Sequence, residues 1–469
     1  MAIKDYKAIE SVQPAIEKAK AFQADLNAVV NFIDVSEQLK KLEGKDVNHP
    51  FYGVPVVLKD LVNMKKTITT GSSMILENYE SPYDACITEK LKAAGAIMIA
   101  KASCDTFGMG GTNMTAATGP VYNPYDLSRM SGGSSGGSAV LVASGVVPMA
   151  IGSDTGDSVR KPASFNNIVG FKPSYGRISR YGVIPYASSL DHVGFFTQNV
   201  KDAALTLEVL AGRDDRDMTS SYKEVEKYSE LLKGDLRAKK IGILKNVLDS
   251  IQVSETKDLF NDLCEKLKTA GAEIIEIRLK DELMHAFLPT YYVIANAEAT
   301  ANHSNLDGLR FGVAKAGNNI EEVMTNSRTA GFGPLLRKRF VIGSYALFIE
   351  NQEKIFRKAQ KVRRLIVENL NEALTHVDVL IAPASASGAP KIGDNSADQL
   401  SSEYLIAENF MALANFAGTP SITIPMGFVK GLPVGVNINA KAFEESKLLD
   451  IAYGFEKITG LKDQVKEPK

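Results

Sequence analysis

Two periodicities alternate along the chain. ITEKLKAAGAIMIAKAS, from Ile87, places apolar residues three and four apart, stops at Gly95 and then runs apolar through IMIA. The first part is the stripe of an amphipathic helix, the second a buried strand, and the glycine between them ends the helix. KDLFNDLCEKLKTAGAEIIEIRL, from Lys257, repeats that grammar with Gly271 as the stop. The first thirty residues read as amphipathic helix followed by the short apolar run NAVVNFID. YGVPVVLKD (from Tyr52), KIGILK (from Lys240) and VDVLIAPAS (from Val377) read as strands. A long helix is expected from about Asn351 to Thr375. PSITIPMGF and LPVGVNINA form two further strands joined by a turn at Lys430-Gly431, and a helix follows from about Glu444 to Lys457. This order predicts the α/β class with a large mixed sheet, and no Pro- or Ser-rich linker divides it, so residues 1–469 are expected to form one domain.

Residues 105–195 differ from the rest. They are dense in Gly, Ser, Thr and Asn, carry almost no helical charge pattern, and read as irregular. Compact proteins keep such stretches for function.

Composition narrows the classes. Of 469 residues 45% are hydrophobic and 23% charged, which suits one large core and excludes disorder, collagen and coiled coil as the main architecture. Lys plus Arg total 54 against 55 for Asp plus Glu, a net charge of -1, which argues against a chain built to grip a phosphate backbone. The basic runs RKR (from Arg337) and KVRR (from Lys361) read as solvated helix faces. Cys86, Cys104 and Cys264 lack the spacing of a disulfide framework or a metal site, so no metal is expected and a reducing compartment is. The start, MAIKDYKAIESVQ, lacks the apolar core of a secretory signal. The most apolar stretch, Ala139 to Gly152, is broken by Ser144 and Pro148 and falls short of the ~20 residues of a membrane helix. A cytoplasmic setting without a membrane partner is the expectation.

Two strings carry candidate chemistry. SGGSSGGSAV, from Ser131, lacks the Lys-Ser/Thr ending of a phosphate-binding loop. It also matches the G-x-S-x-G nucleophile elbow, but the later histidines, His192, His285, His303 and His376, have no recognisable triad context. GSDTGDSVRKPASF, from Gly152, sets small residues before a serine, so that successive N–H groups can point at a developing oxyanion. No histidine lies nearby in sequence to act as the base. A buried lysine serves if it loses its proton, and Lys59 ends the apolar run VPVVLK. A lysine that simply reaches solvent from a strand end is the plainer alternative.

Together, GVPVVLKD around Lys59, GGSSGGS and GSDTGDSVRKPASF resemble the amidase signature family, with Lys59 to Ser134 spaced 75 residues and Ser134 to Ser158 spaced 24. The resemblance covers most of the chain. It implies the amidase-signature fold, a large mixed sheet covered by helices on both faces, with the signature core at about residues 50–200. It also implies a Ser–cis-Ser–Lys triad. Ser158 is then the nucleophile, Ser134 the bridging serine after a cis peptide, Lys59 the base, and the N–H groups of Thr155, Gly156 and Asp157 the oxyanion hole.

FKPSYGRISRYGVIPYASSLDHVGFFTQNV, from Phe171, is similar to one branch of that family, the glutaminase (A) subunits of tRNA-dependent amidotransferases. That likeness implies hydrolysis of glutamine, with ammonia passed to a B subunit, which uses ATP and Mg²⁺ to amidate Glu-tRNA(Gln). A heterotrimer is completed by a small C subunit. This chain would hold no cofactor and would meet the mischarged tRNA mainly through the B subunit. The same glutaminase can serve a partner that accepts Asp-tRNA(Asn). By the same resemblance RKRFVIGSYAL points to Arg339 for the substrate carboxylate, and NFAGTPSIT places Glu408 where an Asp meets the substrate ammonium. One of Tyr291 and Tyr292 lines the pocket.

The chain departs from the pattern at Asp157, where relatives have Gly, and at Lys161, Asn166 and Asn167 in RKPASFNN. Asp tolerates unusual backbone angles better than most residues. A working site is expected with the Asp157 carboxylate turned from the oxyanion, paired with Arg160 or receiving the amide NH2. The alternatives are a stand-alone amidase acting on another small amide, and a silent scaffold that only docks partners.

Overall fold

Among the described residues, eleven strands hydrogen-bond into one mixed sheet in the order β1-β3-β2-β6-β8-β7-β12-β13-β11-β9-β10. The strands are β1 Val29–Phe32, β2 Pro55–Lys59, β3 Ile97–Ala102, β6 Met149–Asp154, β7 Val169–Lys172, β8 His192–Thr197, β9 Lys240–Leu244, β10 Glu273–Ile277, β11 Val379–Pro383, β12 Ser421–Val429 and β13 Leu432–Asn439; a separate pair is β4 Tyr122–Asn123 and β5 Asp126–Met130. This is a computed structural model, and it describes residues 2–44, 46–393 and 401–468. β2 runs parallel to β3 and to β6, and β9 parallel to β10 and β11, while the centre is antiparallel.

The two-residue alternation of a strand decides which side chain meets which layer. Val56 and Leu58 of β2, with Met149 and Ile151 of β6, face the core under the helices Cys86–Ala93, Val200–Leu210, Ser254–Thr269 and Glu445–Thr459. Val57 and Ala150 face the other side, against the helix Gly136–Ala143. Val379 and Ile381 of β11 join the first layer. Leu380 and Ala382 join a third cluster under the helices Asp281–Asn302 and Lys358–Thr375. Helices on both faces of a mixed sheet are what the resemblance implied. Lys59 has the parity of Val57, so it points toward the helix Gly136–Ala143 and the serine-rich loop before it.

The structure corrects the reading of residues 105–195 as irregular. They hold β4 to β8, including three strands at the middle of the sheet, and the helices Gly136–Ala143 and Arg160–Phe165. Every residue of Gly136–Ala143 is buried, so it has no polar face to give a helical stripe. Among the described residues no helix is long and apolar enough to cross a membrane.

Candidate active site

Lys59 is fully buried, and its Nζ lies 2.7 Å from Ser134 Oγ, 2.8 Å from Ser135 Oγ and 2.9 Å from Ser153 Oγ. Burial pushes its pKa below the ordinary 10.5, against the pull of Cys104 and of the carboxylates of Asp105, Asp154 and Asp191. Ser135 Oγ donates onward to Ser153 O at 3.1 Å, so it accepts from Lys59. A neutral amine has two N–H bonds and one lone pair. In that form Ser135 and Ser153 would take the two N–H bonds, leaving the lone pair for the Ser134 proton.

The Gly133-Ser134 peptide is cis. A side chain at Gly133 would not fit: a Cβ there would stand 2.1 Å from Asp105 Oδ2, 2.6 Å from Asn113 N and 2.8 Å from Thr112 N. Asp105 Oδ2 accepts from those same two amides, at 2.9 Å from Asn113 and 3.1 Å from Thr112, so neither side can yield.

Ser135 N donates to Ser158 O at 3.2 Å, which sets the backbone of Ser158 beside this loop. Ser158 is 4% exposed. Its Oγ has no hydrogen-bond partner among the described residues, so no bond joins it to Ser134 here. Catalytic hydrogen bonds often tighten only with substrate bound. The N–H groups of Thr155, Gly156 and Asp157 likewise meet no protein acceptor among the described residues. Buried donors are nearly always paired, so a run of three free ones before a serine marks a place for an anionic oxygen.

Contacts that the sequence reading did not anticipate hold this segment. Asp154 and Arg160 are fully buried and paired at 2.8 Å. Burial alone would raise the Asp154 pKa, but the guanidinium overrides it and holds the carboxyl well below its usual range. Arg160 also donates to Gly156 O at 2.7 Å, Asn415 Oδ1 at 2.7 Å and Met411 O at 2.8 Å. Thr155 Oγ1 donates to Asp191 Oδ1 at 2.7 Å, and Asp191 accepts Tyr186 N at 2.8 Å and Ala187 N at 3.1 Å. His192 Nδ1 is 2.7 Å from Leu190 O, inside the sheet and away from the base position.

A cavity opens beside this loop, lined by Gly156, Asp157, Tyr291, Tyr292, Arg339 and Asn409 among others. Arg339 donates to Tyr186 Oη at 2.9 Å, with the Tyr186 and Tyr292 rings 5.9 and 5.7 Å from its guanidinium carbon. Arg337 and Lys338 are exposed, as expected. Both tyrosines line the cavity, and Tyr291 is the one that reaches the oxyanion segment: a Cβ on Gly156 would stand 2.9 Å from Tyr291 Oη.

Two expectations are corrected. Asp157 does not pair with Arg160, because Asp154 holds that guanidinium; its nearest cation is Lys161, at 4.0 Å. The Glu408 carboxylate does not line the cavity. Oε2 accepts from Lys161 at 2.7 Å and Oε1 from Ala386 N at 3.0 Å. Tyr186 and Asp191 sit in the SRYGVIPYASSLD stretch, so the sequence contained them, but only the fold shows what they touch.

Residues 10–449 match the Amidase family, and the chain belongs to it. Two curated relatives carry the name of the A subunit of glutamyl-tRNA(Gln) amidotransferase. That of Koribacter versatilis is 43% identical over 406 residues, covering 86% of this chain and 84% of the relative. That of Legionella pneumophila is 40% identical over 463 residues, covering 97% and 95%. Among solved structures, the glutamyl-tRNA(Gln) amidotransferase A subunit of Thermotoga maritima superposes with a TM-score of 0.82 at 34% identity, over 100% of this chain and 98% of that one. A peptide amidase of Stenotrophomonas maltophilia gives 0.83 at 26% identity, over 98% and 94%.

Proposed function

We propose that this chain is the glutamine-hydrolysing subunit of a tRNA-dependent amidotransferase. The observation that carries the reading is a cavity lined by both Arg339 and the oxyanion residues Gly156 and Asp157, in a chain whose near-full-length relatives bear the amidotransferase name. An arginine flanked by tyrosines suits a planar carboxylate.

Ser158 attacks the side-chain amide carbon of glutamine. Its proton passes to Ser134, and the Ser134 proton to neutral Lys59. The free N–H groups of residues 155–157 receive the oxyanion. As the C–N bond breaks, the proton returns from Lys59 through the serines to the leaving nitrogen, and ammonia departs. Water then attacks the acyl-enzyme by the same relay and releases glutamate. The ammonia goes to the B subunit, which spends ATP with Mg²⁺ to amidate Glu-tRNA(Gln) and holds most of the tRNA contact. With the small C subunit, the three chains form a cytoplasmic heterotrimer.

The test is glutamate release from L-glutamine by the assembled complex, with Gln-tRNA formed when ATP and Glu-tRNA(Gln) are added. Hydrolysis of simple amides by the chain alone, with no glutamine turnover in the complex, would overturn the reading. Arg339→Lys keeps the charge and loses the two-pronged contact. It is expected to raise KM for glutamine about 10- to 100-fold and to change kcat far less, in steady-state kinetics.

A further inference from the structure

We infer that Asp157, the residue before the nucleophile, is the carboxylate that receives the substrate's α-ammonium, and that Lys161 draws Glu408 out of that role. The inference rests on the glutaminase reading and deepens it. Glutamine brings an ammonium as well as a carboxylate into the cavity. Arg339 answers the carboxylate, but an ammonium taken out of water without a partner is strongly unfavourable.

Among the residues described as lining the cavity, Asp157 is the only acid. Both oxygens of Glu408 are occupied, by Lys161 and by the Ala386 amide, and the Glu408 carbonyl also accepts from Lys161. Asp157 is the less satisfied group. Its carboxylate accepts no hydrogen bond among the described residues, stands 4.0 Å from Lys161, and is one-fifth exposed at the cavity side. Burial pushes its pKa up to about 6, with Lys161 opposing, as for an acid short of a counter-charge. Asp157, Lys161 and Glu408 together carry one net negative charge, and the geometry puts it on Asp157.

This arrangement resolves the conflict that an acid beside an oxyanion creates. A naked Asp157 repels charge developing on the amide oxygen. An α-ammonium seated on it cancels that repulsion. The same residue therefore binds α-amino amides and slows hydrolysis of amides that lack the amino group.

The experiment uses the assembled complex and compares L-glutamine with glutaramate, which lacks only the α-amino group. Wild type is set beside Asp157→Asn and Asp157→Gly. Glutaramate is read as turnover, or as competitive inhibition where turnover is slow. The expected result is a rise in KM for glutamine of about 10-fold or more, on the order of one charge-assisted hydrogen bond. Glutaramate should bind and react as well as before or better, so that the preference between the two falls by about tenfold or more. Retained glutaramate affinity shows that the variants are folded. A preference unchanged within about threefold in both variants overturns the inference, as does an equal loss of both substrates, which would make Asp157 merely structural. Failure of wild type to hydrolyse glutamine would instead overturn the glutaminase reading, and this inference with it.

Discussion

Ser158→Ala lowers glutamine hydrolysis by the assembled complex about 10⁴- to 10⁶-fold, the range seen when a serine nucleophile is removed. The substitution deletes one buried oxygen that has no hydrogen-bond partner among the described residues, so the loop around it, fixed by Arg160 and Asp191, should hold. Stability is expected to change by less than about 1 kcal/mol. The partner's reaction supplies the control. Gln-tRNA formation fed by added ammonium chloride bypasses the nucleophile and should continue near the wild-type rate. Glutamate release within about tenfold of wild type would remove Ser158 from the mechanism. Loss of the ammonium-fed reaction too would show that the complex, not the chemistry, had failed.

Lys59→Met removes the base while keeping an unbranched side chain in the buried strand end. The expected loss in kcat is about 10²- to 10⁴-fold, the usual range for a general base. A pH profile separates this role from a structural one. Only neutral Lys59 can accept the Ser134 proton, so activity rises with pH as Lys59 loses its own. Burial sets that rise below the ordinary 10.5. Below its folded pKa the rate falls about tenfold per pH unit. In Lys59→Met this limb should vanish from the residual activity. An unaltered limb would place the titrating group elsewhere. Three hydroxyls around one amine also predict that Lys59→Arg fails as a replacement, because a guanidinium does not give up its proton near neutral pH.

The residues of the proposed relay are legible in the sequence because they sit in local strings. Lys59 closes one strand, Ser134 precedes one helix and Ser158 another, and the two serine strings are rich enough in Gly and Ser to stand out. The helix–Gly–strand units at Gly95 and Gly271 are equally plain, and both glycines adopt positive φ. Elements buried on all sides do not announce themselves. The helix Gly136–Ala143 shows no stripe, while Asp281–Asn302, which carries Tyr291 and is exposed along one side, is masked instead by Pro289 within it. Long-range partners are hidden for a different reason. Glu408 meets Lys161 across 247 positions, and no local pattern at either site tells of the other. A lysine at 161 captures the acid that a motif alignment would leave free, and only the folded chain displays the exchange.

The Arg160 guanidinium has one more bearing. It fastens the segment before Ser158 to Asn415 and Met411, which follow 255 and 251 positions later, and β12, which flanks β7, is made later still. During synthesis the lysine and both serines leave the ribosome long before their scaffold does. A chain that ends short of Met411 holds every side chain of the proposed relay but leaves Arg160 without both of these acceptors. The finished geometry of the segment before Ser158 thus waits on Met411 and Asn415, which translation delivers long after the lysine and serines it positions.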